Sequence, residues 1–408
     1  MTPLVIWLGA LAVVVACAWF GRSRAFALYS AVSLGLQVAI WSALFPDAGP
    51  LRIPFALCQA LVFVHYLRLV WPRMRSTAYR AAVSIPALWF AAGTLLAFPW
   101  AIAVAVGLTP YGWWLPYAIC LVGVAQSFGS RHEELDLVLD GEHREGIVRC
   151  DAGSLRTHKP LKIVQLSDPH LGPFMSVDRL RRICRRAVEK RPDLILITGD
   201  FLTMESQSAV DELSDALSPL RQLAGRVIAC HGNHDLEAPA TVAEACRRNE
   251  IQLLVDQEAV VALPEHEVQI IGADFRFRDR REHLAELCRR FPRRAGHLRL
   301  VLLHDPGAFR HLPEGEADLV LSGHTHGGQL GLYSLGLPGT MMRLFLSIPD
   351  HGFWSRGTDR LYVHRGNGHY GFPLRLGVPA EESLLRLHLM TPAALSNAPR
   401  LERGFESE

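Results

Sequence analysis

Charge is distributed so unevenly along this chain that a single fold cannot account for it. Residues 1–130 contain seven arginines (22, 24, 52, 68, 73, 75 and 80), no lysine and one acid, Asp47; most charged residues of the 408-residue chain follow Ser130. The formal net charge of +2 conceals that segregation. Apolar runs cover residues 4–20, 25–45, 53–71, 81–107 and 111–128. Each is near the ~17–25 residues that cross a bilayer as a helix. Trp71, Trp100, Tyr111, Trp113 and Trp114 cluster near their ends, as interfacial anchors do. Core helices of a water-soluble protein are the poorer reading, because so many runs with almost no acid are hard to hide. The fourth run is long, and the fifth is short and holds Pro116, so four to five transmembrane helices are expected within residues 1–130.

The arginines also give an orientation. Loops 21–24 and 72–80 carry two and three of them, whereas 46–52 carries one and 109–110 none. With five spans, the positive-inside rule leaves the amino terminus outside and everything after Ser130 in the cytoplasm. The expectation is a multi-pass protein of an inner (cytoplasmic) membrane with the lipid bilayer as partner. The first run has no basic residue before it and is not a cleavable signal of the usual kind. Cys150, Cys184, Cys230, Cys246 and Cys288, beyond the runs, have no paired spacing and read as reduced, inert thiols.

Residues 131–160 read as a polar linker with an entry strand at 135–139, 161–390 as a folded domain, and 391–408 as a disordered tail. Strands are expected at 162–166, 194–198, 226–230, 268–272, 298–303, 319–321, 361–364 and 384–389. Helices are expected at 177–190, 209–223, 240–249 and 281–290. That alternation favours an α/β fold, with the apolar strands buried on both faces. The arginine-rich stretches 179–191 and 276–294 are interleaved with acids, so a solvated helix face is expected and no nucleic-acid partner.

Motifs rich in carboxylate, imidazole and amide fall where these strands end. Asp168-Pro169-His170 follows the first, Gly199-Asp200 the second, and Gly232-Asn233-His234-Asp235 the third. His304-Asp305-Pro306 and Gly323-His324-Thr325-His326-Gly327-Gly328-Gln329 come later. Ligands of open α/β sheets gather outside the carboxyl ends of strands. These donors suit first-row divalent ions, manganese, iron or zinc, better than an all-oxygen calcium cage. Two ions about 3.5–4 Å apart could share one carboxylate and a hydroxide, a pair suited to in-line displacement at phosphorus.

In order and spacing, these motifs resemble the calcineurin-like metallophosphoesterase superfamily, in particular a membrane-associated branch whose last motif continues into Gly-Gly-Gln. The segment Arg365-Gly366-Asn367-Gly368 fits that branch too. The resemblance covers residues 161–389 and implies a four-layer α/β/β/α sandwich preceded by an all-α transmembrane region. It also implies two divalent metal ions: Asp168, His170 and His326 on the first, Asn233, His304 and His324 on the second, with Asp200 bridging. His234 would stabilise the phosphoryl transition state and protonate the leaving oxygen, and Asp235 would orient His234. Pro169 departs from the aliphatic residue common there, without removing a ligand. Arg365 and Asn367 could contact phosphate or structure their loop. Lone histidines such as His231, His297 and His364 are better read as satisfied surface or core residues.

Residues 330–354 are unusually apolar for a segment beside such a site. They form either a cap with its own small core or a lid that meets acyl chains or the membrane surface. The expected activity is therefore a membrane-anchored dinuclear phosphoesterase for a lipid-linked or amphiphilic phosphoester or pyrophosphate. Alternatives are a phosphodiesterase for soluble nucleotides, or a membrane sensor or scaffold with a vestigial domain. Intact candidate ligands weigh against the last.

Overall fold

The computed structural model describes residues 3–153, 159–337, 339–372 and 374–389, so the expected tail at 391–408 lies outside the described residues. The first third is helical: α1 (Pro3–Gly21), α2 (Arg24–Leu44), α3 (Arg52–Leu69), α4 (Thr77–Leu96), α5 (Phe98–Ala105) and α6 (Leu115–Ser127). Ser23 starts α2 by accepting a hydrogen bond from the Phe26 amide. Between α2 and α3, Gly49 adopts φ 50° and ψ −122°, a conformation open to glycine, and breaks the helical path. The run at 81–107 divides at Ala97, just ahead of Pro99, and the run at 111–128 begins its helix only at Leu115, with Pro116 in the first turn.

Among the described residues, three helical stretches are long and apolar enough to cross a membrane: Pro3–Gly21, Arg24–Leu69 and Thr77–Leu96. The second contains the break at Gly49 and hence two legs of 21 and 18 residues. The last run falls short of the expectation, since the 13 residues of α6 rise about 20 Å against a hydrocarbon core of about 30 Å. Aromatic rings join the bundle. Trp41 of α2 stacks on Phe55 of α3, Phe55 meets Phe90 of α4 edge-on at 5.0 Å, and Phe90 stacks on Tyr117 of α6 at 5.3 Å.

The remainder is built on two mixed sheets. In the first, the order is β1 (Ser130–Leu139), β13 (Ala380–Leu389), β3 (Leu161–Leu166), β4 (Leu194–Ile197), β5 (Val227–Ala229) and β6 (Gln252–Leu253). In the second it is β2 (Arg144–Arg149), β11 (Gly352–Gly357), β12 (Asp359–Val363), β10 (Leu319–Ser322), β9 (Leu298–Leu302), β8 (Glu267–Gly272) and β7 (Gln257–Ala262). Successive side chains of a strand point to opposite faces, and the cores follow that rule. Ile163, Leu196 and Ile228 share one core with Ile270, Leu300 and Leu321 of the other sheet. Their neighbours Val164, Ile195 and Val227 pack instead with helices α7 (Val177–Glu189), α8 (Val210–Leu217) and α9 (Pro239–Arg248). Val301 and Val320 do the same with α10 (Arg280–Arg290).

Two expectations need correction. The expected entry strand at 135–139 lies within β1, but the described residues on either side of it are woven into both sheets as well: β1 pairs in parallel with β13 from Ser130↔Ala380 to Leu139↔Leu389, and β2 pairs antiparallel with β11. Both are edge strands with one open side, which is why their sequences look like linker. The apolar segment 330–354 is not one unit either. Phe353 and Trp354 are buried in β11, whereas Leu335, Leu344 and Phe345, around the short helix α11 (Met341–Phe345), are 74–77% exposed. Among the described residues they join no core cluster.

The ends of the bundle that carry the 21–24 and 72–80 arginines lie against the α/β part. Arg22 donates to the Met204 carbonyl at 3.2 Å, the Arg75 amide to Glu205 at 3.2 Å, and Arg80 to the Gly172 carbonyl at 3.3 Å. Arg179 of α7 reaches back to the Ser127 carbonyl at the end of α6, at 2.9 Å.

Candidate metal centre

The loops after β3, β4, β5, β9 and β10 converge, and their backbones are bent hard to do so. Asp168, His170, Asp200, His324 and His326 all have φ between 48° and 67°, the left-handed region that non-glycine residues seldom occupy. Such strain persists only where the surroundings over-determine it, and it clusters at functional sites. Two glycines make the convergence possible: a Cβ on Gly199 would strike the Gly232 backbone, and one on Gly323 would strike Ser167 and Asp168. A single methyl group at either position would push the loops apart.

The convergence yields two clusters. Asp168, His170 and His326 form one, and Asp200, His304 and His324 the other; within each, the ligand-capable atoms lie within 4.8 Å of one another. Asp200 touches both, with Oδ2 at 3.5 Å from Nε2 of His170 and 3.2 Å from Nε2 of His304. Asn233 lies in the loop whose next amide, that of His234, donates to Asp200 Oδ1 at 2.8 Å. Its Oδ1 is buried without a hydrogen-bond partner.

Hydrogen bonds behind the imidazoles fix what they present. Nδ1 of His170 donates to the Leu202 carbonyl at 3.0 Å and Nδ1 of His304 to the Thr198 carbonyl at 2.5 Å. That leaves Nε2 of each as a lone pair facing inward, as in histidine ligands held from behind. The Nε2 atoms of His170 and His326 approach to 3.2 Å. Ring nitrogens so close, with two carboxylates and the orphaned Asn233 oxygen, make a donor set that fits two divalent ions.

Electrostatics agree. Burial pushes Asp168 up to about 6 and His170 down to about 3. Burial opposes charge on His304 as well, yet the carboxylates of Asp200 and Asp168 push it up to about 10. Asp200 moves below the usual carboxylate range: burial works against its charge, and His304 and His170 more than offset that. The carboxylates and imidazoles together demand positive charge.

His234 stands at the edge of this group, its ring 5.5 Å from that of His170. The expected orienting partner is different from the one observed. Asp235 points away from the imidazole and accepts from the amides of Asp200, Phe201 and Gly232 at 2.7–2.9 Å, holding the bridging aspartate's loop. The carboxylate beside His234 is Glu237, 3.3 Å from Nδ1. Tyr370 stacks on the ring of His234, with centroids 3.9 Å apart and planes within 14°.

Arg365 and Asn367 structure their loop. Arg365 pairs with Glu133 at 2.8 Å and Glu381 at 3.5 Å, and Asn367 accepts from the Ser167 amide and donates to the Glu381 carbonyl. Among the lone histidines, His231 pairs with Asp274, His364 accepts from the Gly366 amide, and the half-buried His297 donates through Nδ1 to the Ala295 carbonyl at 3.0 Å. Glu237, Tyr370 and the buried Arg375, 3.3 Å from Nδ1 of His326, were not marked by any sequence motif.

The model of the calcineurin-like phosphoesterase family matches residues 161–328, the stretch from β3 through the last ligand pair. Over 238 residues the chain is 32% identical to the phosphodiesterase YaeI of Escherichia coli (strain K12), covering 56% of this chain and 82% of that protein. It is 29% identical to a transmembrane protein with metallophosphoesterase domain from Danio rerio, covering 54% of this chain and 52% of the relative. A metallophosphoesterase of Helicobacter pylori (strain J99 / ATCC 700824) is 29% identical, with 56% and 60% covered. The match thus spans most of the E. coli protein but little more than half of the other two. With the buried ligand clusters falling inside the matched stretch, the chain belongs to the calcineurin-like phosphoesterase family and is a metal-dependent phosphoester hydrolase.

Proposed function

We propose that this protein is a multi-pass membrane enzyme that uses two divalent ions to hydrolyse a lipid-linked or amphiphilic phosphoester. The observation that carries the reading is Asp200, whose one carboxylate oxygen lies within 3.5 Å of an imidazole nitrogen from each ligand cluster. Asp168, His170 and His326 would hold one ion and Asn233, His304 and His324 the other, with Asp200 between them. When bound, such ions polarise a phosphoryl oxygen and make water nucleophilic at neutral pH. His234 is suited to donate a hydrogen bond to the phosphoryl group and a proton to the leaving oxygen. Asp235 acts by holding the Asp200 loop. Manganese, iron and zinc all fit this donor set. The distribution of cores supports reading residues 161–390 as a four-layer α/β/β/α domain.

The membrane part of the reading rests on the apolar stretches and on the arginine loops, which face the hydrolase domain and would lie in the cytoplasm under the positive-inside rule. Exposed Leu335, Leu344 and Phe345 support contact with lipid. The E. coli relative is named a phosphodiesterase, which favours diesters over monoesters. The test is turnover of bis-p-nitrophenyl phosphate by the full-length protein in detergent micelles with manganese. Hydrolysis lost in Asp200→Asn and His234→Ala is the expected result; unchanged turnover in both variants would sink this assignment.

A further inference from the structure

Between the helix bundle and the metal centre lies a cavity of about 60 Å³. One water needs about 10–15 Å³ of such space, and drug-sized ligands occupy about 300–1,000 Å³. The cavity therefore suits a group of a few atoms. His170, a candidate metal ligand, and Tyr370, stacked on His234, stand on its metal side. Glu205 and His369 line it too, 2% and 3% exposed. Oε2 of Glu205, Oη of Tyr370 and both ring nitrogens of His369 are buried without hydrogen-bond partners.

Glu205 lacks the partner a buried acid needs. Its Oε1 accepts from the Arg75 amide, and among the described residues no guanidinium or ammonium pairs with either oxygen. The nearby arginines turn instead to backbone carbonyls, Arg75 to those of Arg68 and Trp71 and Arg80 to that of Gly172. Burial raises the Glu205 carboxyl, as it does for a charge with too little compensation. A buried carboxylate is costly unless a cation meets it. Aromatic rings complete the wall: Tyr29 and Tyr66, stacked at 6.0 Å, and Phe174, 4.7 Å from the His369 ring. Ring faces attract cations as well.

Resting on the phosphoesterase reading above, we infer that this cavity binds a primary ammonium group carried by the leaving alcohol of the substrate. An ammonium has three N–H donors and no acceptor. Glu205 Oε2, Tyr370 Oη and the lone pair of a neutral His369 are three acceptors for them, and Glu205 supplies the balancing charge. A hydrocarbon group would leave all three unpaired, and a trimethylammonium group has no N–H to offer. The ammonium belongs to the leaving alcohol because Tyr370 joins the cavity to His234, the group suited to protonate that alcohol. Water adds at phosphorus, and the bond from phosphorus to the amino alcohol's oxygen breaks. His234 protonates that oxygen and is reprotonated by the proton the water gives up, leaving a phosphomonoester and a free amino alcohol. The substrate class is thus a phosphodiester with a short amino-alcohol headgroup.

The test uses full-length protein in micelles with manganese and three octyl phosphodiesters, of 2-aminoethanol, ethylene glycol and propanol, with products read by phosphorus NMR. They differ only in a terminal ammonium, hydroxyl or methyl group. Hydrogen bonds to a charged group predict a kcat/KM for the aminoethyl diester about tenfold or more above the other two. Glu205→Gln should largely erase that preference, and Tyr370→Phe, which removes one acceptor and keeps the stacked ring, should narrow it. An aminoethyl diester no faster than the hydroxyethyl one, or a preference unchanged in Glu205→Gln, overturns the inference and leaves the hydrolase reading intact. No hydrolysis of any of the three with any divalent ion strikes the hydrolase reading instead. Calorimetric binding then decides on the cavity alone. Phosphoethanolamine should bind the wild type more tightly than propyl phosphate does, and the two should bind alike in Glu205→Gln. Equal binding to the wild type means that the cavity holds only water, and overturns the inference.

Discussion

Oε1 of Glu237 lies 3.3 Å from Nδ1 of His234. Burial works against a charged imidazole there, but the Glu237 hydrogen bond and the nearby Asp200 raise His234 above its ordinary value. A leaving-group acid must be protonated at the working pH, so a raised value extends activity toward alkaline pH. Glu237→Gln keeps the side chain's shape and removes its charge. The basic limb of the kcat/KM profile should move to lower pH while metal content stays unchanged. A limb in its wild-type position would exclude Glu237 as the group that sets His234.

Glu237 is itself held through Gln207 from the helix bundle. Gln207 donates to its second oxygen, and Arg22, in the turn between α1 and α2, donates to Gln207 at 2.6 Å and to the Met204 carbonyl. Outer partners of a site are commonly worth 10–100-fold, and Arg22 acts through two intermediates. Arg22→Ala should therefore cost about tenfold or less in kcat, with KM for bis-p-nitrophenyl phosphate unchanged and the basic limb shifted as in Glu237→Gln. Full activity with an unshifted limb would reduce Arg22 to a tether.

This chain of contacts explains which parts of the site sequence could reveal. Asp168 and His170, or His324 and His326, are two residues apart after an apolar strand, so their common destination is written locally. Glu237 is an acid three residues after a histidine, a pattern common on any turn, and its role depends on Gln207 and Arg22 from distant segments. Tyr370 and Arg375 reach the site on a loop that returns roughly 200 residues after Asp168, with no motif to mark them. The fold divides the same way. Apolar β3, β4, β9 and β10 announce themselves, whereas β1 and β2 are edge strands with polar residues on their open sides, and only pairing with β13 and β11 makes them strands.

Metal loading should stabilise the fold as well as enable it to react. Ligands that bind only the folded state add stability by mass action, about 2.7 kcal/mol at a hundredfold excess over Kd. Chelation should lower Tm and abolish turnover, and manganese should restore both. In Asp200→Asn the carboxylate between the clusters is lost, so added manganese should raise Tm much less. An equal thermal shift in the variant and the wild type would show that Asp200 is not shared by the ions.

Glu381 of β13 predicts an acid-dependent weakness outside the metal centre. Burial alone would raise its carboxyl, but Arg365 and His364 hold it down at about 2. The Tyr362 hydroxyl donates to it at 2.5 Å and the Arg365 amide at 3.2 Å. A folded value below the unfolded one, about 4.3, means the stabilisation is complete above pH about 4.3 and is lost as pH falls toward 2. Glu381→Gln leaves Arg365 buried with Glu133 alone and should cost about 3–5 kcal/mol near neutral pH. The Tm gap between variant and wild type should close between about pH 5 and pH 2; a gap independent of pH would show that the charge is not what Glu381 contributes.

The exposed apolar segment around α11 separates lipid contact from folding. Leu344 and Phe345 are 74% and 77% exposed, and Gln126 at the end of α6 accepts from the Gly377 amide, whose carbonyl in turn accepts from Ser334 of the same segment. Their position beside a helix end of the bundle suits contact with a membrane surface. Substitutions at such sites usually change stability by less than about 0.5 kcal/mol, so Leu344→Glu and Phe345→Glu should leave Tm unaltered. Each should slow hydrolysis of a long-chain diester presented in anionic vesicles and spare that of bis-p-nitrophenyl phosphate, because only the first requires the segment to enter the lipid. Loss of Tm in both variants would mean that the segment packs against protein, and equal rates on vesicles would mean that lipid reaches the centre without it, through the bundle alone.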